Sequence, residues 1–301
     1  SIRHMDSRGR LNGINMKGRS GIISSTRQLL MDIGTPGDYN FDVYGMYSMR
    51  YLNRAYNGPI FNAYKDSNGA TQDIYPDDLY DGTLTTFGGG GKVRVKTLYD
   101  QSGNSNDASQ TSRFNMPEII NSSGTLQTCC GLPAMDFDGG NDFIPLNSAL
   151  PNIDTGNCSS FVVGEYDGTT LNPAELMLSL GATTASARWY SPMGYQNQYI
   201  FGYNSTWNEQ VIAGSDTDPH LFSAIVGTDQ GDWRCFIDGA QQGTATRASR
   251  ASGGTYGIGG LNSVSQYALN GRVNEVLVFD GDCSTLRTAI EKNIMDYYGI
   301  D

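Results

Sequence analysis

The sequence is short of charge, of cysteine and of long apolar runs, and each shortage excludes a class of protein. Only 17% of the 301 residues are charged, whereas disordered chains are usually rich in charge. No apolar run approaches the roughly 20 residues that a membrane-spanning helix needs. The N-terminus lacks the apolar core of a secretory signal. We therefore expect a folded domain without a membrane span, either made in the cytoplasm or exported after removal of a leader.

The few cysteines do not form a metal-binding or disulfide framework. The five lack the paired C-x-x-C spacing of zinc sites, and their odd number is typical of a protein folded in a reducing compartment. The adjacent Cys129 and Cys130 are predicted to be two reduced, half-buried thiols rather than a strained vicinal disulfide.

Basic residues are also scarce, except at the start of the chain. The net charge is -11, which excludes nucleic acid as a partner of the folded body. Residues 1–30 carry six basic side chains against one acidic side chain. Residues 1–40 are punctuated by glycine, and we expect them to form an extended arm. Such a basic arm could pair with an acidic neighbouring subunit in a homo-oligomer, or it could be a solvated leader.

Glycine and tyrosine, by contrast, are abundant, with 38 and 18 copies. Short apolar runs separated by turn residues about every ten positions are typical of an all-β sandwich. Asp238-Gly239 predicts a tight hairpin turn. The clearest predicted strands are 60–64, 71–75, 93–98, 160–166, 176–180, 199–203, 221–226, 233–237, 256–259 and 272–279, the last of them central because it is apolar on both faces.

Two helices and one flexible loop complete the predicted elements. Aromatic and apolar residues recur every three or four positions from Tyr44 to Tyr56, which favours a short amphipathic helix. The loop is the glycine run Phe87–Lys92. Ser284 is expected to cap a final helix that covers an edge or end of the sandwich, with an apolar stripe formed by Leu286, Ile290, Ile294 and Tyr297.

Two segments resemble the first and last parts of a known sandwich fold. Residues 131–143 are a strand that enters a Gly/Asn/Asp turn, and residues 270–280 are a buried strand that leads into the final helix. Together they resemble a concanavalin A-like domain. The predicted fold class is therefore an all-β, concanavalin A-like antiparallel jelly-roll β-sandwich over residues 41–301, with the 1–40 arm before it.

A series of motifs in the first half of the chain carries a more specific resemblance. Tyr47-Ser-Met-Arg-Tyr-Leu, Tyr56-Asn-Gly-Pro, Gly69-Ala-Thr-Gln-Asp-Ile and Leu98-Tyr-Asp-Gln-Ser-Gly-Asn-Ser-Asn-Asp-Ala follow one another in order. This series resembles the N-terminal sandwich of α-L-arabinofuranosidase B, in glycoside hydrolase family 54. It is equally similar to bacteriophage virion proteins that carry the same module.

The virion resemblance implies a structural protein of the phage particle. A tail fibre, spike, baseplate component or capsid decoration would explain the unpaired thiols, the absent leader and the basic arm. Its partners would be other virion subunits, contacted through the arm, and a cell-surface glycan bound with the help of multivalency. This is the main expectation, with a purely architectural assembly protein as a further alternative.

The hydrolase resemblance implies two carboxylates at a defined separation, one as nucleophile and one as acid/base. In the family the nucleophile is a glutamate in a Met-Glu-Ala-Ile-Tyr-like strand, after an adjacent cysteine pair. Here Cys129-Cys130 is followed by Gly131-Leu132-Pro133 instead. Glu165 is a loose match, so no catalytic residue is assigned and a secreted arabinofuranosidase-like enzyme remains the alternative.

Two candidate ligand sites follow from residue types. Sugars have apolar faces and a hydroxyl rim, so aromatic side chains interleaved with amides favour sugar binding; the candidates are Trp189, Tyr195, Trp207, Asn197 and Asn204. Hard oxygen ligands at Asp136, Asp138 and Asp142 indicate a possible Ca²⁺ site, although alternation along the strand also places Asp136 and Asp138 in solvent. Asp100 and Asp107 are expected to stabilise a turn.

Overall fold

The protein, seen in a computed structural model, contains two antiparallel β-sheets packed face to face. The structure describes residues 42–147, 157–168, 174–182, 189–203, 209–227, 233–245, 255–261 and 267–301. Within these ranges the named strands pair antiparallel throughout, with two helices of the α type. The all-β antiparallel sandwich class is therefore confirmed. The predicted 1–40 arm lies outside the described residues.

The larger sheet contains 12 of the described strands. Its main path runs β19-β18-β17-β11-β21-β9-β6-β4-β2-β3, with β1 paired to β21 and β5 paired to β4. The strands are β1 (Asp42–Ser48), β2 (Phe61–Lys65), β3 (Thr71–Ile74), β4 (Val93–Leu98), β5 (Ala108–Ser109), β6 (Glu118–Ile120), β9 (Met135–Asp138), β11 (Cys158–Tyr166), β17 (His220–Val226), β18 (Trp233–Ile237), β19 (Ala240–Ala245) and β21 (Asn270–Asp280).

The smaller sheet contains seven described strands in the order β10-β20-β13-β14-β15-β16, with β12 on β14. They are β10 (Ile144–Pro145), β12 (Glu175–Leu176), β13 (Leu178–Ala182), β14 (Trp189–Tyr195), β15 (Gln198–Tyr203), β16 (Glu209–Ala213) and β20 (Thr255–Ile258). A separate hairpin joins β7 (Thr128–Cys129) to β8 (Leu132–Pro133).

The main apolar core lies between the two sheets. Phe61, Phe137 and Val276 enter it from the larger sheet, and Phe201 and Ile258 enter it from the smaller one. Because successive strand residues point to opposite faces, the neighbours of these residues lie on the outer face of the larger sheet. That outer face is the surface on which the candidate site is built.

One half of the outer face is covered by the C-terminal helix. Helix α2 (Arg287–Tyr298) buries Ile290, Ile294 and Tyr297 against Phe161 and Leu277 of the sheet. The apolar stripe is as predicted, but the location is not, because the helix lies on a sheet face rather than at an edge. Ser284 does not cap the helix, which has Leu286 at its N-cap.

The predicted helix over Tyr44–Tyr56 is wrong, because its first half is β1. A bulge between Val43 and Gly45 lets Tyr44 and Tyr47 face the same core three residues apart, which imitates helical spacing. Met46 faces the helix-covered side instead. A strand buried on both faces and interrupted by a bulge cannot be told from a helix by periodicity alone.

Most of the other predicted elements are confirmed. The central strand is β21, which pairs with β1, β9 and β11. Asp238 and Gly239 both have positive φ, 51° and 75°, as the predicted turn between β18 and β19 requires. The predicted loop from Phe87 begins inside helix α1 (Thr83–Gly88), which ends at a left-handed Gly89. Neither described helix is long and apolar enough to cross a membrane.

Candidate functional site

A row of charged side chains crosses the outer face of the larger sheet beside the helix-covered half. Glu165 of β11 lies directly opposite Arg272 of β21, and Arg272 lies directly opposite Asp136 of β9. Their strand neighbours Tyr166 and Phe137 point into the core between the sheets. Strand register alone therefore brings these three side chains together on the outer face.

The Arg272 guanidinium is the centre of this cluster. Its Nη1 lies 2.6 Å from Oε1 of Glu165 and 2.9 Å from Oδ1 of Asp167, and its Nε lies 3.2 Å from Oδ1 of Asp136. Burial alone would lower the pKa of Arg272, but the three carboxylates outweigh that effect and raise it. All four side chains are partly exposed, between 13% and 33%. The cluster is therefore accessible to a ligand.

Asp136 differs from an ordinary aspartate in its proton affinity. Burial raises its pKa to about 6, and the negative charges of Asp167 and Glu118 add to that shift, while Arg272 opposes it. Gln127 Nε2 donates a hydrogen bond of 2.9 Å to Oδ2 of Asp136. A carboxyl group with a pKa near neutrality can both give and accept a proton at ordinary pH.

The adjacent cysteines lie against the same cluster. The hairpin of β7 and β8 is held on the sheet by Asn274, whose Nδ2 donates to the carbonyl oxygens of Cys129 and Pro133 at 3.2 and 3.0 Å. The two sulfurs, both free thiols, are 3.8 Å apart. The hydrogen bond with Cys130, burial and the nearby carboxylate of Glu165 all raise the pKa of the Cys129 thiol. Cys129 is buried and Cys130 is half-buried, and the reduced state of the pair stays a prediction.

The predicted sugar-binding residues are not brought into this cluster. Tyr195 is half-buried and packs on a small cluster that includes Leu176 and Ile200. Asn197 is exposed in the β14–β15 turn, where its carbonyl oxygen accepts hydrogen bonds from two backbone amides. Trp189 is the first residue of β14. Asn204 and Trp207 lie outside the described residues, so sugar binding by this group stays a prediction.

The three aspartates of the predicted Ca²⁺ site have separate partners. Asp136 contacts Arg272 and Gln127, whereas Asp138 accepts a hydrogen bond of 2.8 Å from the backbone of Gly140 in its own turn. Burial raises the pKa of Asp142 to about 7. Within the described ranges no group of three or more His, Cys, Asp or Glu side chains is arranged to hold a metal ion. Calcium binding by Asp136, Asp138 and Asp142 therefore stays a prediction.

Sequence reasoning missed Arg272, Asp167 and Gln127 as members of a site. Arg272 stands near the start of the predicted central strand, and an arginine in such a strand indicates a carboxylate partner. This arginine could therefore have been identified as a candidate site residue from the sequence. Its carboxylate partners lie up to 136 residues away along the chain, at Asp136, and only the sheet register identifies them.

Comparison with known proteins points to one group of enzymes. No family model matches the chain. A curated relative, the probable α-L-arabinofuranosidase B of Aspergillus fumigatus, is 27% identical over 249 residues, which cover 72% of this chain and 48% of the relative. The chain thus spans about half the length of the curated relative that it matches.

Solved structures agree on the fold. An arabinofuranosidase of glycoside hydrolase family 54 soaked with a cyclic sulfate inhibitor superposes with a TM-score of 0.65 at 15% identity, over 89% of this chain and 65% of the other. An arabinofuranosidase complexed with arabinofuranosyl-α-1,2-xylobiose gives 0.66 at 15% identity, over 89% and 64%. A sialidase of Trypanosoma rangeli gives 0.50 at 13% identity, over 68% and 32%.

These relatives overturn the main functional expectation. The curated relative and the two structures with the higher TM-scores are arabinofuranosidases, so the prediction of a phage tail or capsid protein is wrong. The motif series resembles both groups, so the motifs by themselves could not separate the two functions. Self-association through the arm stays a prediction.

Proposed function

We propose that this chain is a glycoside hydrolase that acts on α-L-arabinofuranosides. The observation that carries the proposal is that Glu165 and Asp136 both contact Arg272, while Cys129 of the cysteine pair lies beside Glu165. The family resemblance requires a glutamate close to adjacent cysteines together with a second carboxyl group, and this cluster supplies all three. The sequence similarity to an arabinofuranosidase supports the substrate class.

The separation of the two carboxyl groups suits the reaction. Glu165 and Asp136 stand on strands two apart, which places their backbones roughly 10 Å from each other. Both side chains extend toward the Arg272 guanidinium, which lies between them. Glycosidases use carboxyl groups about 5 to 9.5 Å apart. A sugar ring can therefore lie across Arg272 with one carboxyl group on each side.

Each carboxyl group then has a distinct role. Asp136, with its pKa of about 6, is the acid that protonates the leaving oxygen as the glycosidic bond breaks. Glu165 attacks the anomeric carbon and forms a glycosyl ester, which water hydrolyses after giving a proton to Asp136. Arg272 orients both groups, and Gln127 holds Asp136 through its second oxygen.

Hydrolysis of 4-nitrophenyl α-L-arabinofuranoside tests the proposal. Glu165→Gln and Asp136→Asn should each lower kcat by about 10²-fold or more, because each removes a group that acts in the transition state. Activity of the unaltered protein should fall as pH rises above about 6, where Asp136 loses its proton.

Asp138→Asn is the matched control. Asp138 lies on the same strand and the same face as Asp136, but it is exposed and caps a turn. We expect this variant to stay within about twofold of the unaltered protein, as surface substitutions usually do. Absence of turnover in the unaltered protein, or full activity of Glu165→Gln, would contradict the proposal.

A further inference from the structure

We propose a second saccharide-binding surface at the β3 edge of the larger sheet, formed by Tyr51, Tyr56, Tyr75 and Tyr99. We call it the tyrosine surface, and its ligand is a neutral polysaccharide chain. The choice of a saccharide rests on the proposed function. The geometry of the surface does not depend on the catalytic cluster, because none of its residues contacts Arg272 or Glu165 in the described structure.

Two of the rings are fixed by their own segment of chain. Tyr51 and Tyr56 pack edge to face, with centroids 6.2 Å apart and ring planes at 67°. Their hydroxyls donate to the carbonyl oxygens of Gly58 and Pro59, at 3.2 and 2.5 Å. Because both rings are held at both ends, a ligand would bind them without ordering them first.

Tyr75 is the most exposed of the four. It is 42% exposed, and only Phe114 is comparable among the large apolar side chains of the described structure. Its backbone amide donates a hydrogen bond of 2.8 Å to Oδ2 of Asp78, which fixes the start of a 3₁₀ turn over Pro76–Leu79. Tyr75 follows Ile74, whose carbonyl oxygen accepts a hydrogen bond of 2.7 Å from the backbone amide of Ile60, next to Pro59. The exposed ring therefore extends the pair formed by Tyr51 and Tyr56.

Tyr99 adds a polar rim. Its hydroxyl donates to Oδ1 of Asp73 at 2.8 Å, and Asn62 Nδ2 donates to the same oxygen at 2.7 Å. Asn62 and Asp73 are opposite residues of β2 and β3 and point away from the core. The backbone amide of Tyr99 also donates a hydrogen bond of 3.1 Å to the carbonyl oxygen of Ile60, which follows Pro59. Aromatic faces thus stand beside amide and carboxylate groups that can bind hydroxyls.

The charges around the surface favour a neutral ligand. Asp73, Asp77, Asp78 and Asp107 all act electrostatically on its tyrosines. Such a surface repels anionic chains, including nucleic acid and uronate-rich polymers. Tyrosine offers an apolar ring with a polar tip, which matches the apolar faces and hydroxyl rim of a sugar.

The tyrosine surface and the catalytic cluster are built on strands of the same sheet. The path from β21 to β3 crosses five strand intervals, which is roughly 24 Å at about 4.8 Å per interval. A small substrate cannot contact both places, but a polymer can. The surface would therefore hold polysaccharide while the cluster acts on one of its side groups.

Binding of soluble arabinoxylan, a neutral polymer, tests the inference by titration calorimetry. Tyr75→Ala should weaken binding roughly tenfold, as loss of an aromatic anchor does. Phe114→Ala removes an exposed aromatic ring elsewhere and should leave binding unchanged. Both variants should hydrolyse 4-nitrophenyl α-L-arabinofuranoside within about twofold of the unaltered protein.

The same titration in the Glu165→Gln background separates the two proposals. If Tyr75→Ala weakens binding there while the unaltered protein shows no turnover, the tyrosine surface stands and the hydrolase fails. Equal binding by Tyr75→Ala and the unaltered protein would overturn the inference. So would equal losses for Tyr75→Ala and Phe114→Ala, or tighter binding of polygalacturonate, an anionic polymer, than of arabinoxylan.

Discussion

Arg50 and Glu275 form a buried ion pair under the C-terminal helix. The Arg50 guanidinium makes two hydrogen bonds to the Glu275 carboxylate, of 2.8 and 3.0 Å, and its side chain is only 6% exposed. Ser48 and Tyr298 also donate to Glu275, and Arg50 stacks on Tyr297 at 4.2 Å. Through Ser48 and the two tyrosines, the Arg50–Glu275 pair therefore joins β1, β21 and α2.

Removing one charge of this pair should destabilise the fold strongly. Glu275→Gln leaves Arg50 buried without a counter-charge, which typically costs about 3 to 5 kcal/mol. The free energy of unfolding in urea measures the loss. Lys292→Ala is the control, because the exposed pair Lys292–Asp296 should contribute at most about 0.5 kcal/mol. Equal small losses in both variants would show that the buried pair is dispensable.

Single residues were predictable where their role is local. Asp100 was expected to stabilise a turn, and its Oδ1 accepts hydrogen bonds of 2.9 Å from the backbone amides of Met46 and Ser102. Ser102 lies two residues away, so sequence alone indicates that contact. Met46 lies 54 residues away, and nothing in the local pattern points to it.

Strand β21 is the element on which both the core and the candidate site depend. Its 11 residues pair with β9 at one end, with β1 at the other and with β11 along most of its length. Gly271 sits where β21 approaches β11 most closely. A Cβ atom there would lie 2.2 Å from the Glu165 carbonyl oxygen.

Gly271→Ala should therefore separate β21 from β11 beside the cluster. We expect a loss of several kcal/mol of unfolding free energy, since neither backbone can yield, and a fall in any activity that needs Glu165 beside Arg272. Thermal unfolding and a kinetic assay measure the two effects.

Gly91→Ala is the matched control for this substitution. A Cβ atom at Gly91 would meet nothing closer than 3.8 Å. That variant should be close to neutral in stability and in activity. If Gly271→Ala behaved in the same way, the close approach of β21 and β11 would not constrain the fold.

At the scale of the whole molecule, proton binding links stability to pH. His220 lies between Asp238 and Asp216, at 2.6 and 2.9 Å. Burial alone would lower its pKa, but the two carboxylates outweigh burial and raise it to about 9. Burial also raises the pKa values of Asp142 and Glu175 to about 7.

All of these groups hold protons more tightly in the folded state than in the unfolded state. The stabilisation from His220 is complete below its unfolded pKa of about 6.5 and is lost as pH rises through about 9. Asp142 and Glu175 act in the same direction, with loss as pH rises through about 7. Stability should therefore fall from about pH 6 to pH 9.

Urea unfolding across this range measures the fall. His220→Asn should remove the step between about pH 6.5 and pH 9, on the order of 2 kcal/mol, and leave the lower step in place. An unaltered profile in that variant would show that the histidine is not held as a cation in the folded protein.

The sequence by itself determined the all-β class, the central strand, the Asp238-Gly239 turn and the apolar stripe of the last helix. Each is encoded over a few residues, through alternation, turn chemistry or helical spacing. Only the tertiary structure decided that Glu165 faces Arg272, 107 residues away, and that α2 lies over a sheet face. Register and layer packing decide such contacts, because a shift of one residue along β21 would turn every one of its side chains to the opposite face.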